Sequence, residues 1–310
     1  MKNISPEISV HSIDHYGHAG DRVIEWIGSP IHEPQSTFEV GYYAGDSKPK
    51  PIIGISAMSG CPAACNFCEL GDAAYNRPLT PDEIYEQVSV TRALAWAIDD
   101  TSIDTMHKVN IAKSGEPLLN RQLPEAMDRI AAFGYSFKIS TVFPKGPVTI
   151  NTLAGSARFA AEYDQPVQLQ ISIISTSDEY RARAVGKLAA PLETVAEGVQ
   201  LWNDIVPSSI RRKANVSIIL SDDTPANPAE LVSTLPPDLV NVRLRDYIPT
   251  YTGAIHDLSV IQESRYQAIA EQFESFGYST SRAGRPTQTE RTHSLASNVT
   301  LQRKSRERKS

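Results

Sequence analysis

Three cysteines are the residues of this sequence whose type and spacing most clearly indicate chemistry. Cys61, Cys65 and Cys68 lie within eight residues and are the only cysteines among the 310 residues. An odd number so tightly clustered cannot form a disulfide framework, and in a chain without an export signal it indicates metal binding or catalysis in a reducing cytosol. Soft thiolate ligands favour zinc, copper or iron–sulfur clusters.

The number of thiolates helps to separate these kinds of site. A structural zinc ion normally takes four protein ligands, and no histidine lies close to these cysteines in the sequence. An iron–sulfur cube held by three cysteines keeps one iron open for a further ligand. The sequence therefore predicts an iron–sulfur site with an open iron, with a zinc loop and three incidental structural thiols as the alternatives.

A second candidate segment is KSGEPLLN, which runs from Lys113 to Asn120. Gly115 allows close approach to the backbone, Glu116 can accept hydrogen bonds from an ammonium group, and Pro117 fixes the turn. Taken alone, Gly-Glu-Pro is a common turn. Its position after a predicted strand indicates a ligand-binding role only when it is considered together with the cysteine motif.

The elements that must position these residues are predicted from residue 51 onward, where short apolar runs alternate with helical patterns. The predicted strands are residues 52–56, 107–113, 137–142, 167–173, 214–220 and 241–248. A strand followed each time by a helix predicts parallel βα units, here a partial six-unit parallel (β/α) barrel of α/β class, with a doubly wound open sheet as the rival. In both architectures ligands bind at the carboxyl ends of the strands, where the cysteines, Glu116 and Ser172 would meet.

The sequence predicts that the chain is divided into three regions. Residues 1–50 predict an extension containing a β-hairpin, residues 51–280 the partial barrel, and residues 281–310 a C-terminal segment that ends in a basic tail. Thr80, followed by Pro81 and Glu83, predicts the start of the first helix by the capping-box pattern. His11, His15 and His18 indicate a surface or disordered segment.

Composition limits the class of protein. The formal net charge of −6 argues against a globally basic surface for nucleic acid, although the last ten residues carry five basic side chains. No stretch approaches the roughly 18 apolar residues of a membrane helix, and the first residues lack the apolar core of a secretory signal. We therefore expect a cytoplasmic protein with no membrane partner.

The cysteine spacing, the aromatic Phe67 before the last cysteine and the strand before the loop resemble the signature of the radical S-adenosylmethionine superfamily. The resemblance implies a [4Fe-4S] cluster on the three cysteines and S-adenosylmethionine on the open iron, with an external one-electron reductant of flavodoxin or ferredoxin type. Reductive cleavage would then give a 5′-deoxyadenosyl radical that abstracts hydrogen from a substrate. The segment Gly115–Pro117 is similar to the superfamily motif that holds the amino group of S-adenosylmethionine.

Four blocks narrow the resemblance to the ribosomal-RNA adenine methylase branch, which includes the florfenicol-resistance enzymes. Residues 76–88, 115–120, 138–141 and 172–185 occur there in the same order, and the similarity covers roughly residues 38 to 250. By position it implies that Ser140 and Ser172 contact the methionine carboxylate or the ribose. The alternative is that each serine only satisfies a neighbouring backbone group.

Departures from that branch bear on the reaction. Its members need two further cysteines, one of which carries the methyl group, and this sequence has no fourth cysteine. Its Asn-Pro after the sixth strand is replaced here by Ile248-Pro249. We therefore expect hydrogen abstraction from a small-molecule or peptide substrate without a methyl-cysteine intermediate. An RNA- or nucleotide-modifying enzyme is the alternative, with RNA possible but not favoured, and a non-enzymatic iron–sulfur electron carrier or sensor is the third reading.

The sequence does not decide the roles of several other polar residues. Arg243, Arg245 and Asp246 on the last predicted strand either bind an anionic substrate or form a salt-bridge set, because an unpaired buried charge is costly. A tyrosine could relay hydrogen, although each candidate is better interpreted as a packed aromatic residue. The candidates near strand ends or loops are Tyr75, Tyr180, Tyr247 and Tyr251.

Overall fold

A ten-stranded sheet runs through the protein, and its strands pair in their order along the chain. This computed structural model describes residues 6–18, 21–45, 48–72, 75–98 and 108–282. The strands of the sheet are β1 (Ile8–His18), β2 (Asp21–Pro30), β3 (Phe38–Gly45), β4 (Lys48–Ile55), β7 (Lys108–Ile111), β8 (Ser136–Thr141), β9 (Val167–Ile174), β10 (Ala214–Leu220), β11 (Val240–Asp246) and β12 (Thr280–Arg282). A separate two-stranded sheet joins β5 (Met58–Ser59) to β6 (Arg77–Pro78).

The first four strands form an antiparallel meander. The predicted hairpin is β2 and β3, and β1 adds an edge strand where the sequence indicated a surface or disordered segment. His11 and His15 are exposed on β1, and His11 lies 2.7 Å from the Ser29 hydroxyl on β2. The side chain of His18 lies outside the described part of the chain, as do residues 283–310 with the basic tail.

In the large sheet, every pairing from β4 to β12 is parallel. The helices are α1 (Pro81–Ala97), α2 (Leu123–Ala131), α3 (Pro147–Glu162), α4 (Asp178–Val185), α5 (Leu192–Ile205), α6 (Pro228–Leu231), α7 (Tyr251–Ile255) and α8 (Glu263–Ser275). The predicted strands and intervening helices are present, and β12 follows them as a short extra strand. The parallel α/β architecture is therefore confirmed. Over the described residues the sheet does not close, because β1 and β12 are its two ends.

The two faces of the parallel sheet differ sharply in polarity because successive side chains of a strand point to opposite sides. On β8, Phe137 and Ile139 are fully buried in the apolar core, whereas Lys138 and Ser140 alternate with them on the other face. The parallel neighbours follow the same alternation, so most of this inner face is polar, with Ile219 of β10 as an apolar exception. The polar inner-face residues are Lys108, Asn110, Ser136, Lys138, Ser140, Gln168, Gln170, Ser172, Asn215, Ser217, Asn241, Arg243 and Arg245.

Helix α1 begins where the sequence predicts. The Thr80 hydroxyl accepts a hydrogen bond from the Glu83 amide at 3.2 Å, and the Glu83 carboxylate accepts one from the Thr80 amide at 2.8 Å. This reciprocal capping box satisfies two amides that the helix cannot pair internally. Among the helices of the described ranges, none has the length and apolar composition needed to cross a membrane.

Candidate functional site

A cavity of about 480 Å³ opens at the carboxyl ends of the parallel strands. The structure brings together at this cavity almost every residue that the sequence predicts for the site: Cys61, Cys65, Phe67, Cys68, Gly115, Glu116, Ser140 and Ser172. Pro117 does not line the cavity. It is buried as the first residue of the short 3-10 turn Pro117–Leu119.

The cysteine loop, residues 60–68, is held from two sides. The Asn66 amide donates a hydrogen bond of 2.9 Å to the carbonyl of Ala184 in α4. The Phe67 carbonyl accepts one of 3.3 Å from the hydroxyl of Thr250, the residue that caps α7. The backbone of the cysteine loop is therefore fixed by elements that lie far from it in the sequence.

Cys65 is buried, and Cys61 and Cys68 are half-buried beside it. Burial, together with Cys68 and Glu116, raises the pKa of Cys61 to about 12. Burial likewise raises the pKa of Cys68 to about 11 and that of Cys65 well above its usual value. Thiolates in such a place need compensating positive charge, which metal ions supply.

The arrangement of these thiols bears on the kind of metal group. Within the described ranges, no three His, Cys, Asp or Glu side chains are grouped so as to hold one metal ion. Each thiolate of an iron–sulfur cube binds its own iron, so the sulfur atoms need not converge on a single point. The all-thiolate donor set and its spread around one cavity therefore fit a cluster better than a single zinc ion.

Glu116 is buried at the junction of two strand ends. Its Oε1 accepts hydrogen bonds from the Leu118 amide at 3.0 Å and the Thr141 hydroxyl at 2.5 Å, and its Oε2 accepts one from the Val142 amide at 2.9 Å. Burial raises the pKa of Glu116 to about 7 against the opposite effect of these hydrogen bonds. Because a carboxylate oxygen can accept two hydrogen bonds, Oε2 keeps acceptor capacity for a ligand.

Position 115 requires a glycine because of its backbone conformation and a close contact with Met58. Its φ of +96° is a conformation that side-chain-bearing residues rarely adopt, and a Cβ atom there would lie 2.4 Å from Cβ of Met58. Asn120, at the end of the same segment, donates hydrogen bonds to the carbonyls of Ala57 at 2.9 Å and Leu79 at 2.8 Å. The segment is thereby locked against the strand exit that leads into the cysteine loop.

The two predicted serines stand on the inner face, at the ends of β8 and β9. The Ser140 hydroxyl donates to the Asn110 side chain at 3.2 Å, so it does not serve a neighbouring backbone group. Ser172 lines the same cavity, and its hydroxyl makes no hydrogen bond to other described residues. Both hydroxyls therefore have capacity to contact a ligand.

Backbone strain is concentrated beside these strand ends. Phe143 has a φ of 59° and Ile174 a φ of 67°, and both side chains are buried. A residue with a side chain in this region costs about 1–3 kcal/mol and is kept where the surroundings enforce it. The strain fixes the exits of β8 and β9, from which Ser140 and Ser172 project.

An ion-pair network that the sequence did not reveal supports the site from the antiparallel side. The Lys113 ammonium lies 3.1 Å from Glu25 Oε1, which also accepts a hydrogen bond of 2.7 Å from the Tyr43 hydroxyl. Burial alone would lower the pKa of Lys113, but Tyr43 and the nearby carboxylates raise it. Lys113 was visible in the KSGEP segment, whereas its partner Glu25 is 88 residues away and carries no local signal.

The structure answers two further questions left by the sequence. Asp246 pairs with Arg282 of β12 at 2.9 Å, so it does not form a salt-bridge set with Arg243 and Arg245.

Of the four candidate tyrosines, Tyr247 lines the main cavity and Tyr180 a small neighbouring one, whereas the other two are exposed on the surface. Ile248, which replaces the polar residue of the methylase branch, also lines the main cavity.

The chain is similar to several known proteins. No family model matches the chain. A probable dual-specificity RNA methyltransferase RlmN of Mycolicibacterium paratuberculosis is 36% identical over 133 residues, covering 41% of this chain and 34% of that protein. The ribosomal RNA large subunit methyltransferase Cfr of Staphylococcus warneri is 33% identical over 134 residues, covering 42% of this chain and 34% of that protein. The chain thus spans about a third of the length of these curated relatives.

A longer match and a solved structure extend the comparison. A probable dual-specificity RNA methyltransferase RlmN of Christiangramia forsetii is 26% identical over 238 residues, covering 73% of this chain and 63% of that protein. The crystal structure of a radical SAM methyltransferase from Sphaerobacter thermophilus matches the fold with a TM-score of 0.66 at 17% identity, over 89% of this chain and 77% of that one. In its motifs and sequence the chain is similar to the RlmN and Cfr RNA methyltransferases, and its fold is similar to that of the radical SAM methyltransferase from Sphaerobacter thermophilus.

Proposed function

We propose that the chain binds a [4Fe-4S] cluster through Cys61, Cys65 and Cys68 and S-adenosylmethionine beside it, and that it abstracts hydrogen from a substrate. The observation that carries the proposal is that the three thiols, the Glu116 carboxylate and two serine hydroxyls line one cavity. When bound and reduced by an external one-electron donor of flavodoxin or ferredoxin type, the cluster supplies the electron that cleaves S-adenosylmethionine to methionine and a 5′-deoxyadenosyl radical.

The chain's own residues would bind and orient the nucleoside. Glu116 Oε2 would accept a hydrogen bond from the methionine ammonium, and this positive charge would lower the raised pKa of the carboxyl. Ser172 would donate to the carboxylate or ribose, and Ser140, whose proton is donated to Asn110, would accept a hydrogen bond from a ribose hydroxyl. Gly115 and Pro117 would hold the backbone close to the ligand, and Phe67 would cover the loop beside Cys68.

We place an RNA or nucleotide substrate first, because the similar proteins are named as RNA methyltransferases. This reverses the order favoured by the sequence alone. A small molecule or peptide is the second candidate, favoured by a cavity of about 480 Å³ and the net charge of −6. Methyl transfer through a methyl-cysteine is not part of the proposal, because all three cysteines lie in the one loop.

We also propose a finer description of the architecture. The open parallel sheet from β4 to β12 is interpreted as a partial barrel whose polar inner face is the lumen, with residues 51–280 as the barrel unit. Residues 1–50 would be its N-terminal extension, and residues 281–310 a separate C-terminal segment. The predominantly polar inner face supports the lumen assignment.

Anaerobic reconstitution tests the proposed reaction. The full chain is loaded with iron and sulfide, its iron content and absorbance are measured, and it is treated with dithionite and S-adenosylmethionine. We expect 5′-deoxyadenosine from the wild type and loss of both colour and product in Cys65→Ala. Ser275→Ala, an exposed change in α8, serves as the control. An intact reduced cluster that forms no 5′-deoxyadenosine would overturn the proposal.

RNA binding under varied salt distinguishes the substrate classes. An enzyme that contacts several phosphates loses affinity steeply as salt rises, because binding releases counterions from the nucleic acid. We expect a labelled ribosomal-RNA fragment to bind with such a slope. Absence of binding at low salt would favour the small-molecule or peptide candidate.

A further inference from the structure

Three basic side chains on the inner face form a group, which we call the inner-face cation cluster: Lys138 of β8 with Arg243 and Arg245 of β11. Lys138 and Arg245 line the cavity that contains the cysteine loop. The positive charges of both arginines act on the Lys138 ammonium, and the charge of Arg243 acts on Arg245. The sheet therefore directs three cations from two separated strands toward one region.

No carboxylate of the described residues forms an ion pair with this cluster. The one side-chain hydrogen bond of the cluster in the described ranges is from Arg243 to the side-chain oxygen Oε1 of Gln170 at 3.5 Å. Nearby carboxylates are committed elsewhere, since Asp246 pairs with Arg282 and Glu116 accepts from Thr141 and Val142. The cations are therefore not held as part of a structural salt bridge.

Keeping these charges together is unfavourable for the fold. Burial and the neighbouring cations Arg245, Arg243 and Lys108 lower the pKa of Lys138 to about 7, and burial followed by Arg243 lowers that of Arg245. Lys113, two residues beyond the end of β7, shows the contrast, because Glu25 lies beside it at 3.1 Å. A repulsive group kept without structural compensation is typical of a site that awaits an anionic ligand.

We propose that the inner-face cation cluster binds a phosphate group of the substrate. This inference rests on the proposed function and names the substrate's chemistry at the same site. The Arg245 guanidinium offers paired donors that match the oxygen atoms of a phosphate, Lys138 adds a point charge at the same cavity, and Arg243 adds positive charge beside them. A free nucleotide and an RNA strand carry the same group, so both are possible sources of it.

The position of the cluster defines how the substrate lies. Lys138 is two residues before Ser140 on β8, so it lies roughly 7 Å further from the carboxyl edge of the sheet. Arg245 is the last residue but one of β11, so the cluster reaches from Lys138 to the carboxyl edge of the sheet. A phosphate held between Lys138 and Arg245 would leave the attached nucleoside extending toward the cysteine loop.

Ligand binding to the reconstituted full chain tests the assignment. Cytidine 5′-monophosphate, cytidine and a five-residue oligocytidine are titrated by calorimetry with S-adenosylmethionine present, which keeps its adenosine site occupied. We expect the monophosphate to bind at least tenfold more tightly than cytidine, and Lys138→Met and Arg245→Gln each to reduce that affinity by about tenfold. Arg158→Gln, an exposed charge removal on α3, should leave it unchanged, and Arg245→Lys should restore part of it.

The possible results distinguish a free nucleotide from a polynucleotide as the source of the phosphate, and both from the absence of a phosphate site. Tight monophosphate binding lost in both variants identifies a free nucleotide as sufficient. Binding of the oligonucleotide alone, with the same sensitivity to the variants, identifies a polynucleotide. Measurable and equal binding of cytidine and its monophosphate, no binding of any of the three probes, or variants that bind like the wild type would overturn the phosphate site. Iron content and 5′-deoxyadenosine formation in the same preparations test the proposed function separately.

Discussion

The Thr141 hydroxyl donates a hydrogen bond of 2.5 Å to Glu116 Oε1 and accepts one of 2.8 Å from the Phe143 amide. This single side chain joins the turn after β7 to the strained exit of β8. The carboxylate predicted to bind the methionine ammonium is therefore positioned by a neighbouring strand. Its orientation depends on a hydroxyl that has no role of its own in the proposed chemistry.

Thr141→Val should weaken both the fold and ligand binding. The change leaves one acceptor on Glu116 and the Phe143 amide without their partner, which costs about 1–3 kcal/mol for buried groups. Thr141→Ser keeps the hydroxyl and is the matched control. Chemical denaturation and S-adenosylmethionine titration measure the two effects. Equal stability of the valine and serine variants would contradict the positioning role.

Gly115→Ala should destabilise the protein far more than an alanine at another glycine with positive φ. Gly134, with φ of +70°, provides the control because a Cβ there meets nothing within 4 Å. We expect Gly134→Ala to cost about 1 kcal/mol from backbone strain alone. At Gly115 the contact with Met58 adds an overlap that raises the cost to about 3 kcal/mol or more. Similar unfolding midpoints for the two variants would show that the close approach is unimportant.

Lys138→Met should stabilise the protein at neutral and lower pH. The folded-state pKa of Lys138, about 7, lies below the ordinary value of 10.5, so below pH 7 both folded and unfolded chains carry the proton and the repulsion is fully present. Between pH 7 and about 10 the unfolded chain binds more protons, and the stability of the wild type rises with pH. The advantage of the variant, about 1 kcal/mol or more at pH 6, should therefore shrink toward pH 9.5.

Denaturation curves of both proteins at pH 6, 8 and 9.5 measure this difference. The groups that face Lys138 are Arg243 and Arg245 of β11 and Lys108 of β7, and the arginines keep their charge over this range. Lys108→Met is a useful companion, because it removes one neighbour while Lys138 stays. A variant advantage that is constant with pH would show that the charge of Lys138 is not the cause.

Thr80→Ala should reduce stability without affecting the site. Loss of the capping hydroxyl from α1 costs about 1 kcal/mol, and Thr80→Ser should recover most of it. Since the cysteine loop is held through Ala184 and Thr250, iron content after reconstitution should match the wild type. A parallel loss of iron would show instead that α1 supports the loop.

Local rules explain what the sequence could predict. The cysteine loop was predicted because its thiols are contiguous, and α1 because Thr80 and Glu83 satisfy a short-range capping pattern. Strand β1 was missed because its polar and histidine-rich residues lie exposed at an edge, where no apolar alternation is needed. The parallel order followed from alternating strand and helix patterns, since that chain connection restricts the topology.

Long-range pairings could not be predicted. Asp246 stands beside two arginines in sequence, yet it pairs with Arg282, which is 36 residues later on a short strand that the pattern did not indicate. Lys113 likewise finds Glu25 across the antiparallel meander. Such partners are set by the register of the whole sheet. Only the structure therefore distinguishes a substrate-facing arginine from one that closes a salt bridge.

The agreement between strand order and chain order has a consequence for how the protein is assembled. Each strand of the large sheet pairs with one that has already been synthesised, so the sheet can grow from β1 toward β12 as the chain emerges. The cysteine loop is made early, but its hydrogen bond to Thr250 spans 183 residues. The cysteine loop is completed only when α7 docks. The loop therefore cannot take the conformation seen here before nearly all of the sheet has been synthesised.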